Sequence, residues 1–250
     1  MTGLKLPTIR DEEWRYADPA ALERLAPDTF EHWRDIEVAP GETGRECFIL
    51  DGSTPELRRL RIRVGEGARA EVFVVNAGGD YTRCEVDVHL MQGAHFQFGG
   101  VTIGGGDATR EFVTRLAHAE PEATSEQTIR AVHWGTATGN FLGRIEVARD
   151  AQKTDAAQDF KGLILERGAS TNAKPELEIF ADDVKCAHGA AIGQMDETAR
   201  FYMAARGIPP EAAKALLVRA FIADAFVALD DAAEQDRLMD AALQALGDAV

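Results

Sequence analysis

Little in this chain points towards a disulfide scaffold, a membrane span or a nucleic-acid binder. Three cysteines in 250 residues are odd in number and too few for a disulfide framework. No apolar run approaches the ~18 residues that cross a bilayer. Residues 1–15 lack both an apolar stretch and a small-residue cleavage site, so no signal peptide is expected there. Basic residues are scarce: 27 Lys and Arg against 42 Asp and Glu leave a net charge of −15, and no Lys/Arg cluster offsets it. A polyanionic nucleic acid or an anionic bilayer would be repelled by such a surface. The expectation is therefore a cytoplasmic protein that binds neither nucleic acid nor membrane.

The common chemical motifs are missing too. There is no Gly-x-x-x-x-Gly-Lys-Ser/Thr loop to cradle phosphates, no His-Glu-x-x-His, no Gly-x-Ser-x-Gly and no Cys-x-x-Cys. Gly104-Gly105-Gly106 precedes no helical pattern and reads as a strand corner. His32, His89, His95, His118 and His133 are scattered and read as packing or surface polarity rather than ligands. Cys47 and Cys84 sit among apolar neighbours and read as small core residues.

What is present falls into three zones. Residues 1–44 are charged and broken by four prolines, with a helix start at Asp18-Pro19 and four aromatic anchors, Trp14, Tyr16, Phe30 and Trp33; they form a short appendage. Residues 45–194 turn to period two, in stretches such as 71–75, 84–90, 126–132 and 141–147, which predicts half-buried strands. Glycines punctuate them, and a Gly-Ala pair recurs at Gly67-Ala68, Gly93-Ala94 and Gly168-Ala169 as a weak repeat. Sandwich, barrel and β-solenoid all fit many short strands with glycine corners. The absence of hairpin dipeptides between the middle strands favours the solenoid. Residues 195–250 are helical, with helices expected over 196–206, 210–229 and 231–246, two of them stopped by Gly207 and Gly247.

One stretch carries chemistry: Asp182-Asp183-Val184-Lys185-Cys186-Ala187-His188-Gly189. If it is extended, Cys186 and His188 project from the same face. A thiolate and an imidazole side by side suit iron or zinc, and a nearby cation such as Lys185 would favour the thiolate. Two ligands do not close a tetrahedral site, so the remainder must come from another chain or from substrate. A buried strand end is the plainer alternative. A nucleophilic Cys/His site would predict selective alkylation of Cys186, but no orienting third residue or oxyanion motif accompanies it.

Residues 174–193, which contain this stretch, resemble the signature of the SufB/SufD family of the SUF iron–sulfur cluster assembly system, on its SufD side. Phe141-Leu142-Gly143-Arg144-Ile145-Glu146-Val147, the segment 151–156 with Gln158, Phe201-Tyr202 followed by Arg206-Gly207-Ile208, and Glu13-Trp14-Arg15-Tyr16 are similar to further family elements. The resemblance implies a mainly β protein, a right-handed parallel β-helix core with C-terminal helices. It implies a non-enzymatic scaffold subunit that pairs with SufB through the β-helix cores. The C-terminal helices would dock the SufC ATPase, which supplies the nucleotide chemistry absent here. His188 first and Cys186 second would be ligands for iron or a nascent cluster at a shared interface, with no cofactor held permanently. Leu217, Phe221, Ile222 and Phe226 would face SufC. A homodimer is expected when SufB is absent, and a purely structural adaptor is the alternative role. The family's longer N-terminal helical region is represented here by only about forty residues.

Overall fold

The computed structural model describes residues 6–249; residues 1–5, part of the appendage and of the segment read above for a leader, lie outside the described residues. Twelve strands dominate: β1 (Arg34–Val38), β2 (Thr43–Leu50), β3 (Glu56–Val64), β4 (Arg69–Asn76), β5 (Tyr81–Leu90), β6 (His95–Gly104), β7 (Thr109–His118), β8 (Thr124–His133), β9 (Thr138–Val147), β10 (Asp155–Ile164), β11 (Ser170–Ile179) and β12 (Lys185–Gly193). Odd strands form one six-stranded sheet and even strands the other, each in sequence order, and every pairing is parallel. The chain thus lays one strand on each sheet per coil, giving a two-sheet β-solenoid of about six turns. Its first strand, β1, lies inside the segment assigned to the appendage from sequence.

The corners explain the weak repeat. Gly67 and Gly93 both adopt a left-handed φ of 61°. Each sends its N–H to the next coil, Gly67 to the Gln92 carbonyl and Gly93 to that of Pro121. At the same corner of later coils Glu122 (φ 64°) and Lys153 (φ 61°) take over the conformation. They too donate onward, to the Gln152 and Asp183 carbonyls. Only glycine adopts that backbone without strain, so the first coils display the repeat in sequence and the later ones hide it behind ordinary residues.

Between the sheets the inward side chains form one continuous core, including Val72, Val74, Val86, Val88, Phe96, Phe98, Phe112, Ile129, Phe141 and Phe160. Phe141 and Phe160 stack with ring centroids 5.3 Å apart. Alternation predicts half-buried strands, yet β4 and β6 are buried on both faces. The reason is the C-terminal helices, which cover the outer face of the even sheet and make a second core of Phe73, Val75, Val101, Ile103 and Val132 against Val218, Ile222, Phe226, Leu238 and Leu246. A sheet covered on both sides loses its polar alternation.

Helix α1 (Pro19–Leu22) starts on Asp18, whose side chain accepts from the Ala20 N–H. The three C-terminal helices are α2 (Glu197–Ala204), α3 (Pro210–Ala223) and α4 (Ala232–Leu246). Asp196 and Asp231 cap α2 and α4, and left-handed Gly207 and Gly247 follow them. Sequence periodicity expects one helix over 210–229, but α3 stops at Ala223 and tightens into a 3-10 turn over Asp224–Phe226. Two contacts pin that turn to the sheet. Arg130 of β8 donates to the Asp224 carboxylate, Nε to Oδ2 at 2.9 Å. The Ala225 carbonyl lies against Gly99, where a Cβ would stand only 2.1 Å from the oxygen. No helix among the described residues is long and apolar enough to cross a membrane.

The N-terminal segment lies on the outer face of the odd sheet. Trp14, Ala17, Ala21, Leu22 and Leu25 pack with Leu57 and Tyr81. Arg83, fully buried, stacks 3.8 Å from the Trp14 ring and donates to Glu85 and Glu111. Of the other expected anchors, Phe30 packs on this cluster, Tyr16 is half-buried, and Trp33 receives the Arg59 and Arg61 guanidinium groups.

Candidate functional site

The loaded stretch becomes β12, the terminal strand of the even sheet, which pairs only with β10. Register places Cys186 beside Ala156, His188 beside Gln158 and Ala190 beside Phe160. Ala156, Gln158 and Phe160 are all buried inward-facing residues. Cys186 and His188 therefore do share a face, and it is the face that continues the interior of the solenoid. No coil covers this last rung. His188, Ala187, Gly189, Ala190 and Ala191 are exposed, Ile192 is 45% exposed, and only Cys186 retains partial burial, against the main core. The pair sits at the mouth of the solenoid, accessible to a partner.

The thiol's surroundings differ from the expectation of a nearby cation favouring thiolate. Burial pushes the Cys186 thiol up, and the Asp155 carboxylate pushes it further; a hydrogen bond from the Ala156 backbone opposes them. Lys185 stands opposite Asp155 on the other face of the strand. Burial and the Asp155 carboxylate both favour the thiol over the thiolate. Burial also raises Cys47, to about 11, and raises Cys84, which lies wholly in the core.

The other histidines do not meet. His32 and His89 are exposed, His95 is half-buried, and His118 and His133 are sealed inside. Among the described residues no three or more His, Cys, Asp or Glu side chains converge as a metal cage. Cys186 and His188 lie side by side at the solenoid end, and two donors alone do not close a tetrahedral metal site.

The four residues assigned to ATPase docking divide in two. Ile222 and Phe226 are buried against this chain's own even sheet, with Leu217 and Phe221 half-buried. An outward face comes instead from Phe201, Tyr202, Leu216 and Val227, which are 76%, 57%, 51% and 74% exposed. Helical periodicity marks an apolar stripe without saying which side meets the chain's own sheet, and Ile222 and Phe226 lie on that side.

Sequence reasoning also passed over a polar file inside the solenoid. Gln127 of β8 and Gln158 of β10 face inward in register with one another, below His188. Both are 2% exposed, and neither side-chain amide has a hydrogen-bond partner. The signal was there: glutamine at the inward alternate position of Ser125-Gln127-Ile129 and again of Ala156-Gln158-Phe160.

Comparison with known proteins matches residues 50–221, more than half of the chain, to the family described as SUF system FeS cluster assembly, SufBD core domain. An iron–sulfur cluster assembly SufBD family protein of Synechocystis is 30% identical over 207 residues, 81% of this chain and 46% of that protein. The SufD protein of Escherichia coli is 37% identical over 118 residues, covering 47% of this chain and 28% of its own length. The SufD of Bacillus subtilis is 32% identical over 123 residues, 49% and 28% respectively. The chain spans less than half the length of each of these relatives. With its parallel two-sheet solenoid and the match over most of that core, the chain belongs to the SufBD core-domain family of the SUF iron–sulfur cluster assembly system.

Proposed function

We propose that this chain is a non-enzymatic scaffold in iron–sulfur cluster assembly, whose open solenoid end helps to hold iron or a nascent cluster as transient cargo. The observation that carries the proposal is the position of His188 and Cys186, side by side on an uncovered terminal strand. Imidazole and thiolate are ordinary iron ligands, and two of them at an edge invite completion by a partner. SufB is that partner, pairing its own core against β12, whose outer edge has unused backbone donors and acceptors. The SufC ATPase docks on the exposed Phe201, Tyr202, Leu216 and Val227 face, in the manner of an apolar helix surface seated in a groove. A second copy of this chain takes the SufB position when SufB is absent. The setting is the cytoplasm.

Anaerobic co-expression with SufB and SufC, followed by iron and sulfide analysis of the purified complex, tests this. His188→Ala is expected to leave the complex assembled while lowering its iron content several-fold, and Cys186→Ala to lower it less. Equal iron in wild type and in the Cys186/His188 double variant would sink the ligand role. That outcome would favour a purely structural adaptor, a reading supported by the absence of a third ligand beside the pair among the described residues and by the raised thiol.

A further inference from the structure

Gln158 is out of keeping with its place. It is 2% exposed in an apolar interior, and both its amide nitrogen and its amide oxygen lack a hydrogen-bond partner. An unpaired buried amide is destabilising, so native interiors rarely retain one without a use. Its location narrows that use. The amide reaches across the interior to Gly143 of β9, where a Cβ would come within 2.2 Å of Nε2; a side chain there would expel it. In the next coil the two residues in register with Gly143 and Gln158 are Pro175 and His188. Below the amide, Gln127 and Thr114 lie in register with Gln158 and Gly143 and are likewise without partners. On the open side, where proline has nothing to donate, the in-register side chain that can donate is the His188 imidazole. In-register neighbours on adjacent strands lie about 4.8 Å apart, within reach of such a bond.

We infer that Gln158 is a positioning residue for His188: its amide oxygen accepts a hydrogen bond from one imidazole N–H and so turns the other ring nitrogen, as a bare lone pair, towards the open end. The inference rests on the proposed ligand role of His188 for its purpose, though not for its geometry. A histidine that donates one ring N–H to a carbonyl is locked in tautomer and orientation and becomes a better ligand. Gln127, one coil below and in register, has an equally unpartnered amide oxygen, to which the Gln158 amide nitrogen can donate when its own oxygen turns to His188, as stacked glutamines do in parallel sheets. The buried amides then form a short ladder whose last acceptor is presented to the open terminal rung.

The test needs no cluster. In the metal-free full chain, with histidine nitrogens labelled with 15N and at pH 8.5, where a free imidazole is neutral, the His188 ring shifts report the tautomer. One dominant tautomer is expected in the wild type. The near-isosteric Gln158→Leu should shift it towards the mixture of an exposed imidazole and weaken anaerobic Fe(II) binding about tenfold, the lower range for lost outer-shell partners. Gln158→Glu, which keeps an acceptor, should preserve the wild-type tautomer. A mixed, solvent-like tautomer in the wild type overturns the inference without any variant. So does a Gln158→Leu protein that folds and leaves the His188 shifts unchanged. Failure of the ligand reading looks different: His188→Ala would then lose no iron while the tautomer still depended on Gln158.

Discussion

The two ends of the solenoid are built differently. At the first coil, Arg34 of β1 and Glu46 of β2 face each other across the opening in a two-pronged ion pair, with Nη1 to Oε2 at 2.9 Å and Nη2 to Oε1 at 2.7 Å. Asp35 pairs with Arg61 beside it, and the Arg58 guanidinium lies over Phe48, which packs on the core below. Short charged strands of this kind discourage edge pairing. At the last coil, β12 carries Ala187, Gly189, Ala190, Ala191 and Gly193, and among the described residues none of its side chains joins an ion pair. Small side chains and a free edge are a liability for an isolated molecule, and they are suited to one that is completed by another. The contrast locates the working end without reference to Cys186 or His188, yet that is where both residues are.

The largest expected effect separates the terminal rung from the coil beneath it. Phe160 lies in register with Ala190 but is buried and stacked on Phe141. Phe160→Ala should cost about 3–5 kcal/mol in urea unfolding, whereas Ala190→Ser should stay within about 0.5 kcal/mol. Comparable losses at both positions would show that the last rung is an ordinary core layer and would break the comparison. Next in size, Ile222→Ala should destabilise by about 2–5 kcal/mol, because it opens a cavity beneath α3. Val227→Ser should leave stability within about 0.5 kcal/mol and reduce co-purification of SufC, since that side chain touches solvent rather than the sheet.

Two buried inward histidines give the closed interior a pH signature. His118 and His133 are fully buried; burial lowers them to about 4 and about 3, with a backbone hydrogen bond to Ala123 opposing the shift at His118 and Arg110 adding to it at His133. As pH falls below 6.5 the unfolded chain takes up protons that the folded one refuses, so stability is full above 6.5 and declines down to the folded values. At pH 5 each should cost about 2 kcal/mol relative to pH 7.5. His133→Leu should flatten part of that acid limb in denaturation measured between pH 7.5 and 5.

Much of this was legible from residues. Period two and glycine corners narrowed the fold to sandwich, barrel or solenoid, the missing hairpin dipeptides and the family resemblance favoured the solenoid, and the alternation of Cys186 and His188 placed them on one face. The rest was hidden for physical reasons. Glu122 and Lys153 occupy left-handed corners usually marked by glycine, so the repeat faded along the chain. Burial on both faces of β4 and β6 depends on helices more than a hundred residues away, and no local pattern reports it. For the same reason the apolar stripe of α3 could not be divided into a side facing its own sheet and a side facing outwards. Gln127 and Gln158 look like surface residues by type, which masks the alternation with Ile129 and Phe160 that puts them on the inward face.

The smallest effect concerns the closed end itself. The Arg34–Glu46 pair is well aligned, yet its side chains are 53% and 25% exposed. Exposed pairs contribute about 0.2–1 kcal/mol, less as salt rises. A double-mutant cycle through Arg34→Ala and Glu46→Ala should return a coupling within that range, shrinking between 0.05 and 0.5 M salt. If the pair serves chiefly to keep the first coil from pairing, the double variant should instead reveal itself in sedimentation, as added concentration-dependent association relative to the wild type. A coupling well above 2 kcal/mol would mean that the charges hold the first coil together. The two ends would then differ in strength of closure, and the idea that one is blocked and the other left available would have to be given up.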